Sequence, residues 1–123
     1  MIYRLVIRGT LPGLNEFIGA VNTNRHKGNA VKRDAELLVS LAIKSQLRGV
    51  KITKPVVMRY LWVEKSRRRD LDNISSYGRK VIQDALVKCH VLQNDGWNEI
   101  QGFSDSFAVD KKYPRIEIEI EEV

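Results

Sequence analysis

Asp70 and Asp72 stand one residue apart, behind three consecutive arginines, Arg67, Arg68 and Arg69, and in front of Asn73. In an extended chain, side chains two residues apart point the same way, so the two carboxylates can converge while Leu71 turns inward. Two ionised carboxylates held close repel one another, and a hard divalent cation relieves that repulsion. An all-oxygen site of this kind favours Mg²⁺, with Mn²⁺ as a substitute. Zinc is not indicated, because there is a single cysteine and His26 and His90 have no matching cluster. A divalent ion can lower the pKa of a bound water, orient a phosphate and offset charge on a leaving oxygen, all of which phosphodiester cleavage needs. The guanidinium forks of Arg67, Arg68 and Arg69 match phosphate oxygens and stay charged at any working pH. A plainer reading competes with this one. Asp-x-Asp-Asn can be a helix cap, ion-paired to the arginines before it in a solvated turn. Asp-x-Asp also serves metal-dependent glycosyl transfer, so the short motif alone leaves the reaction open.

Further candidates lie downstream. A helix is predicted over Asn73 to Lys88, and at 100° per residue Asn73, Ser76, Lys80 and Asp84 fall on one polar arc of it. Lys80 reads either as a cation near a scissile phosphate or as an ordinary (i, i+4) partner of Asp84, worth a few tenths of a kcal/mol. Arg79 is the neighbouring cation that would face DNA in its place. Asp95, in Asn94-Asp95-Gly96, is either a third carboxylate closing the metal site from the opposite side or a turn former. Trp97 either stacks on a base or packs, half-buried, beside a strand.

These residues are expected to be positioned by one α+β domain spanning 1–123, a small mixed sheet in a two-layer arrangement with two helices, in the order βαβαββ. Ile2 to Arg8 reads as a first strand with Tyr3, Leu5 and Ile7 on one face. Gly9 to Lys27, with Pro12, Gly13, Gly19 and a closing Arg25-His26-Lys27 cluster, reads as loop. Ala30 to Arg48 reads as a helix between Asn29 and Gly49, its apolar stripe being Val31, Ala35, Leu38 and Ala42. Pro55 to Val63 is apolar on both faces, the pattern of a central, covered strand. The predicted second helix carries an apolar arc of Ile74, Gly78, Val81, Ile82 and Ala85, with Cys89 just beyond its end. Phe103 to Val109 and Pro114 to Glu121 read as the last two strands, and in the latter Ile116, Ile118 and Ile120 alternate with Glu117, Glu119 and Glu121.

Charge narrows the class of partner. Residues 1–100 carry 18 basic and 9 acidic side chains, whereas residues 101–123 carry 3 and 6. A basic field over most of the chain attracts polyanions and speeds encounter with nucleic acid, although a solubilising surface has the same composition. No apolar run is long enough to span a bilayer. The alternation of Met1-Ile2-Tyr3-Arg4-Leu5 is that of a strand rather than a secretory leader. The lone Cys89 fits a reducing, cytoplasmic setting and reads as a small buried hydrophobe.

Taken together, Arg67-Arg68-Arg69-Asp70-Leu71-Asp72-Asn73, then Lys80-Val81-Ile82-Gln83-Asp84-Ala85-Leu86, then Asp95 resembles the RusA family of Holliday junction resolvases. The resemblance implies a Mg²⁺-dependent endonuclease that acts as a homodimer on branched, four-way DNA and nicks two strands symmetrically, in recombination and repair. It implies Asp70, Asp72 and Asp95 as metal ligands required for cleavage and Lys80 as a catalytic lysine. The DNA side is then expected to include Arg67, Arg68, Arg69, Asn73 and Arg79. Pro12-Gly13-Leu14-Asn15 resembles the family's early DNA-contacting loop and adds Asn15. About four additional residues separate Asn73 from Lys80, close to one helical turn, which keeps the facing of Lys80 and shifts it along the axis. The alternatives are a binding module for branched or single-stranded DNA that does not cut, and a nuclease that prefers forks or flaps. A metal-dependent transferase acting on a nucleotide-linked substrate is disfavoured, since no Gly-rich phosphate loop is present.

Overall fold

The computed structural model describes all 123 residues, in four strands and three helices: β1 (Ile2–Arg8), α1 (Leu14–Thr23), α2 (Arg25–Gln46), β2 (Val56–Glu64), α3 (Leu71–Lys88), β3 (Ile100–Val109) and β4 (Arg115–Glu122). The strands form one mixed sheet in the order β1-β4-β2-β3. β4 is antiparallel to both neighbours, whereas β3 runs parallel to β2. A parallel pair cannot be joined by a tight turn and needs a crossover of a dozen or more residues, which α3 provides. The sequence order βαβαββ therefore holds, with the first helical region divided in two.

Period-two alternation builds the core. Leu5 and Tyr60 flank Ile118, and Ile7 and Trp62 flank Ile116, so one face of the sheet is a continuous apolar layer. Each large side chain buried there contributes roughly 1.5–3 kcal/mol. The opposite face carries Glu117, Glu119 and Glu121, with Arg59 paired to Glu121 at 2.8 Å. Here the expectation for β2 needs correcting. The strand is interior, with its Val56, Met58, Tyr60 and Trp62 face covered throughout; on the other face Arg59 is exposed, Val57 and Leu61 are half-buried, and only Val63 at the strand's end is buried. Three helices suffice for one face of the sheet and leave the other to solvent.

The segment expected as loop between Gly9 and Lys27 holds α1 and the first turn of α2. Its start is capped from a distance. Asn73, on α3, accepts a hydrogen bond through Oδ1 from the Asn15 N–H at 2.8 Å, while Glu16 accepts from the Gly13 N–H at 3.2 Å. Gly13 must be small, because a Cβ there would lie 2.7 Å from the Asn73 side chain. Asn24 then caps α2 by accepting from the Lys27 N–H, so Arg25-His26-Lys27 is helical and Asn29 lies inside the helix. Gly28 lets the two helices close on each other, since a Cβ would meet Val21 at 2.7 Å. The buried stripe of α2 is Gly28, Ala35, Val39 and Ile43, not the predicted stripe containing Leu38, which is exposed. On α3 the predicted arc is buried as expected, joined by Tyr77 and Leu86, and Gly78 brings the helix against the Trp62 ring.

Asn73→Ala removes the cap of α1 and is expected to cost about 1 kcal/mol. Urea denaturation would read this as a lower midpoint at unchanged slope.

Candidate active site

α3 sets the positions of the acidic residues. Asp70 is its N-cap residue, with extended backbone (φ −68°, ψ 154°), and its carbonyl accepts the first helical hydrogen bond, from the Ile74 N–H at 3.1 Å. Leu71 and Asp72 are already helical. The extended-chain geometry expected for Asp70–Asp72 thus ends one residue early, and Leu71 is 56 % exposed rather than turned inward. Ile74 occupies the inward position instead. Asp70 occupies a cap position without capping: its side chain makes no hydrogen bond to the helix. Both Asp70 and Asp72 are exposed, and neither carboxylate has an intramolecular partner. A cleft of about 470 Å³ opens beside Asp70, walled by Arg67, Leu71, Phe107 and Val109.

The three arginines divide into two kinds. Arg69 is turned inward. Its Nε and Nη2 donate to the two oxygens of Glu64 at 3.0 and 2.9 Å, and its Nη1 donates to the Leu11 carbonyl and to Glu16. Burial disfavours its charge, but hydrogen bonding and attraction from Glu64, followed by Glu16, outweigh that and raise its pKa. Arg67 and Arg68 are exposed and carry no ion pair, so their forks are free to meet phosphate. Arg79 is also turned inward. It pairs with Asp105 at 2.6 Å and lies 4.3 Å over the Phe103 ring, while Asp105 also accepts from the Trp62 indole.

Lys80 and Asp95 form a second cluster. Lys80 Nζ lies 3.0 Å from Asp84 and 3.1 Å from Asp95, and these two hydrogen bonds, Asp84 first, raise its pKa. Eight residues separate Lys80 from Asp72, about 12 Å along the helix axis. The structure therefore brings Lys80 and Asp95 together and keeps them apart from Asp70 and Asp72. No three His, Cys, Asp or Glu side chains of the chain are grouped to hold a metal. The exposed pair Asp70 and Asp72 nonetheless fits Mg²⁺, which commonly takes one or two protein carboxylates and fills its other positions with waters and substrate phosphates. Asn73 is used in capping α1, and the exposed Asn15 sits in the first turn of that helix. Trp97, expected to be half-buried, is 95 % exposed.

Glu64, Glu16 and Asp105 were not among the candidates. For Glu64 a signal was present: an acidic residue closing an apolar strand, five positions before an arginine, requires a buried cation nearby.

A family model described as endodeoxyribonuclease RusA matches residues 20–121. The class is that of DNA-cutting nucleases, and the chain belongs to the RusA family, the Holliday junction resolvases. No curated protein matches it.

Arg69→Ala strands a buried carboxylate and is expected to cost about 3 kcal/mol of stability. Arg67→Ala and Arg68→Ala should stay within about 0.5 kcal/mol, while each lowers the salt slope of DNA binding by roughly 0.9 per lost phosphate contact. Thermal unfolding and a salt titration of binding separate the two kinds of arginine.

Proposed function

We propose that this protein is a Mg²⁺-dependent nuclease that resolves four-way DNA junctions by paired symmetric nicks during recombination and repair, with Asp70 and Asp72 holding the ion. The observation that carries the reading is the pair of exposed carboxylates without partners, directly beside an arginine whose charge is already taken by Glu64. Had the motif been a cap with ion pairs, Asp70 would bond the α3 amides and Arg69 would face Asp70 or Asp72. When bound, the ion would supply an activated water and offset charge at the phosphate. The chain's own part is to orient. Arg67 and Arg68 grip the backbone on either flank, and the N-terminus of α3 presents the carboxylates where a phosphate arrives.

Each chain has one such pair, so two nicks of opposite strands call for a two-fold homodimer. Ile18 and Val21 on α1 and Leu37 and Leu41 on α2 are 45–58 % exposed, an apolar surface that suits contact with a second copy. Asp95, held by Lys80, we place at the margin of the site, where the pair can contact DNA on the same face of α3.

Asp70→Asn or Asp72→Asn is expected to abolish cleavage of a synthetic four-way junction in Mg²⁺ while binding is kept or slightly tightened, since negative charge leaves a DNA-facing surface. Wild-type protein with a chelator should behave like the variants. Equal cleavage of forks and junctions would favour the fork- or flap-preferring alternative, and binding without any cleavage the non-cutting module. Sedimentation should give twice the 14.1 kDa chain mass.

A further inference from the structure

Trp97 is 95 % exposed and Phe103 51 %, and both line a groove of about 280 Å³. Sites for drug-sized ligands run from about 300 Å³ upward, so this groove has room for one ring system and not for a chain of them. Beside Ile100, Gly96 and Gly102, its remaining wall carries the polar side chains of Gln83 from α3, Gln101 from β3 and Asp95 from the loop between them.

The chemistry of that wall is directional. Gln83 gives its amide nitrogen to the Tyr60 hydroxyl at 3.2 Å, which leaves its carbonyl oxygen as the group it can offer. Asp95 has one oxygen bonded to Lys80 and the other without a partner. Gln101 is exposed, with a free amide that can both donate and accept. Acceptors therefore outnumber donors. The Arg79 guanidinium lies 4.3 Å from the Phe103 ring centroid and is itself held by Asp105, so one face of that ring is supported by a fixed cation.

We propose that this groove takes a single unstacked nucleobase, stacked against Trp97 or Phe103 and read by Gln83, Gln101 and Asp95. Its acceptors select a base with an exocyclic amine, cytosine, adenine or guanine, over thymine. Stacking on aromatic side chains is how proteins hold bases that have left a duplex, and carboxylate and amide oxygens are partners for the amines of cytosine and adenine. A second copy of the chain is the other possible occupant of exposed aromatics beside an unpaired strand edge. The groove argues for a base because three of its eight lining residues are Gln or Asp, and Lys80 places a cation at its border. This inference rests on the proposed action on DNA, and names what the same surface reads.

The chain holds two tryptophans, and Trp62 is 1 % exposed and bonded to Asp105, so changes in emission on DNA binding report Trp97. The full-length protein, in EDTA to prevent cleavage, is titrated with a labelled four-way junction and with short oligo(dC), oligo(dA) and oligo(dT), following anisotropy and tryptophan emission together. The proposal expects quenching by the junction, and by oligo(dC) and oligo(dA) at lower concentration than by oligo(dT). Trp97→Phe should bind equally without quenching, and Trp97→Ala and Phe103→Ala should each weaken oligo(dC) binding about tenfold. Gln101→Ala should narrow the gap between oligo(dC) and oligo(dT). DNA bound by anisotropy with unchanged Trp97 emission overturns the groove as a base site, as does equal quenching by all three oligomers. If Trp97→Ala instead converts a sedimenting dimer to a monomer, the groove is an interface between copies and the proposal fails. A protein that binds the oligomers with quenching but not the junction would retain the base site and overturn the junction reading.

Discussion

The bond between Arg69 and Glu64 governs the arrangement around it. Glu64 closes β2 at 8 % exposure, where an unpaired carboxylate would be costly to bury. The five donors of a guanidinium answer that need in one plane: two meet Glu64, and another reaches both the Leu11 carbonyl and Glu16. One side chain thereby ties the end of β2, the β1–α1 connection and the first turn of α1 to the residue directly before Asp70. The position of the acidic pair follows. With Arg69 fixed inward, the chain leaves it at Asp70 and enters α3 at once, and the next apolar side chain to turn in is Ile74. A lysine at 69 would keep the charge and lose the fork, so the three strands of contact could not all be made from one point.

The same economy explains why a run of basic residues behaves as two populations. Arg69 and Arg79 are each about one-fifth exposed and each faces an acidic side chain that the sheet would otherwise leave uncompensated, Glu64 and Asp105. Arg67 and Arg68 have no such partner and remain outside. The DNA-facing charge of this region is therefore smaller than the count of arginines suggests. The open side of the sheet carries Glu117, Glu119 and Glu121 together with Arg4, Arg8, Arg59 and Arg115, so its charges offset one another, as in the Arg59–Glu121 and Arg115–Glu117 pairs.

Much of this was legible in the sequence because it depends on local period. The strict alternation of β4 and the arc of α3 rest on spacing of two or 3.6 residues. What escaped depends on partners distant in the chain. α1 begins after a glycine with no capping side chain of its own, and the cap comes from Asn73, 58 residues beyond the Asn15 N–H that it accepts from. Gly28 lay outside the expected helix, which was to start after Asn29, whereas here it sits within α2 where a Cβ would meet Val21 of α1. The backbone expected at Asp70 and Asp72 differs from the one observed, since an extended exit segment and a helix N-cap differ by a single residue. The exposure of Trp97 had no sequence signal, because a tryptophan between turn residues and a strand has the same neighbours whether it turns in or out.

α3 joins these observations into one surface. Its N-terminus favours negative charge nearby, and two carboxylates stand there without intramolecular partners. Midway along, its polar arc carries Lys80, and Gln83 follows toward the groove beside Trp97. The helix is held to the sheet by Gly78 against Trp62 and by Arg79 to Asp105, both near its middle. Gly78 leaves no space for a bulkier side chain against Trp62, and the Arg79–Asp105 pair opposes displacement along the sheet. Lys80 follows Asp72 by eight residues, about 12 Å along the helix axis, so the spacing of the two groups of side chains is set by the helix itself. A rigid spacing of this kind lets contacts remote from the reacting phosphate set its register, which a flexible loop carrying the same residues would not do.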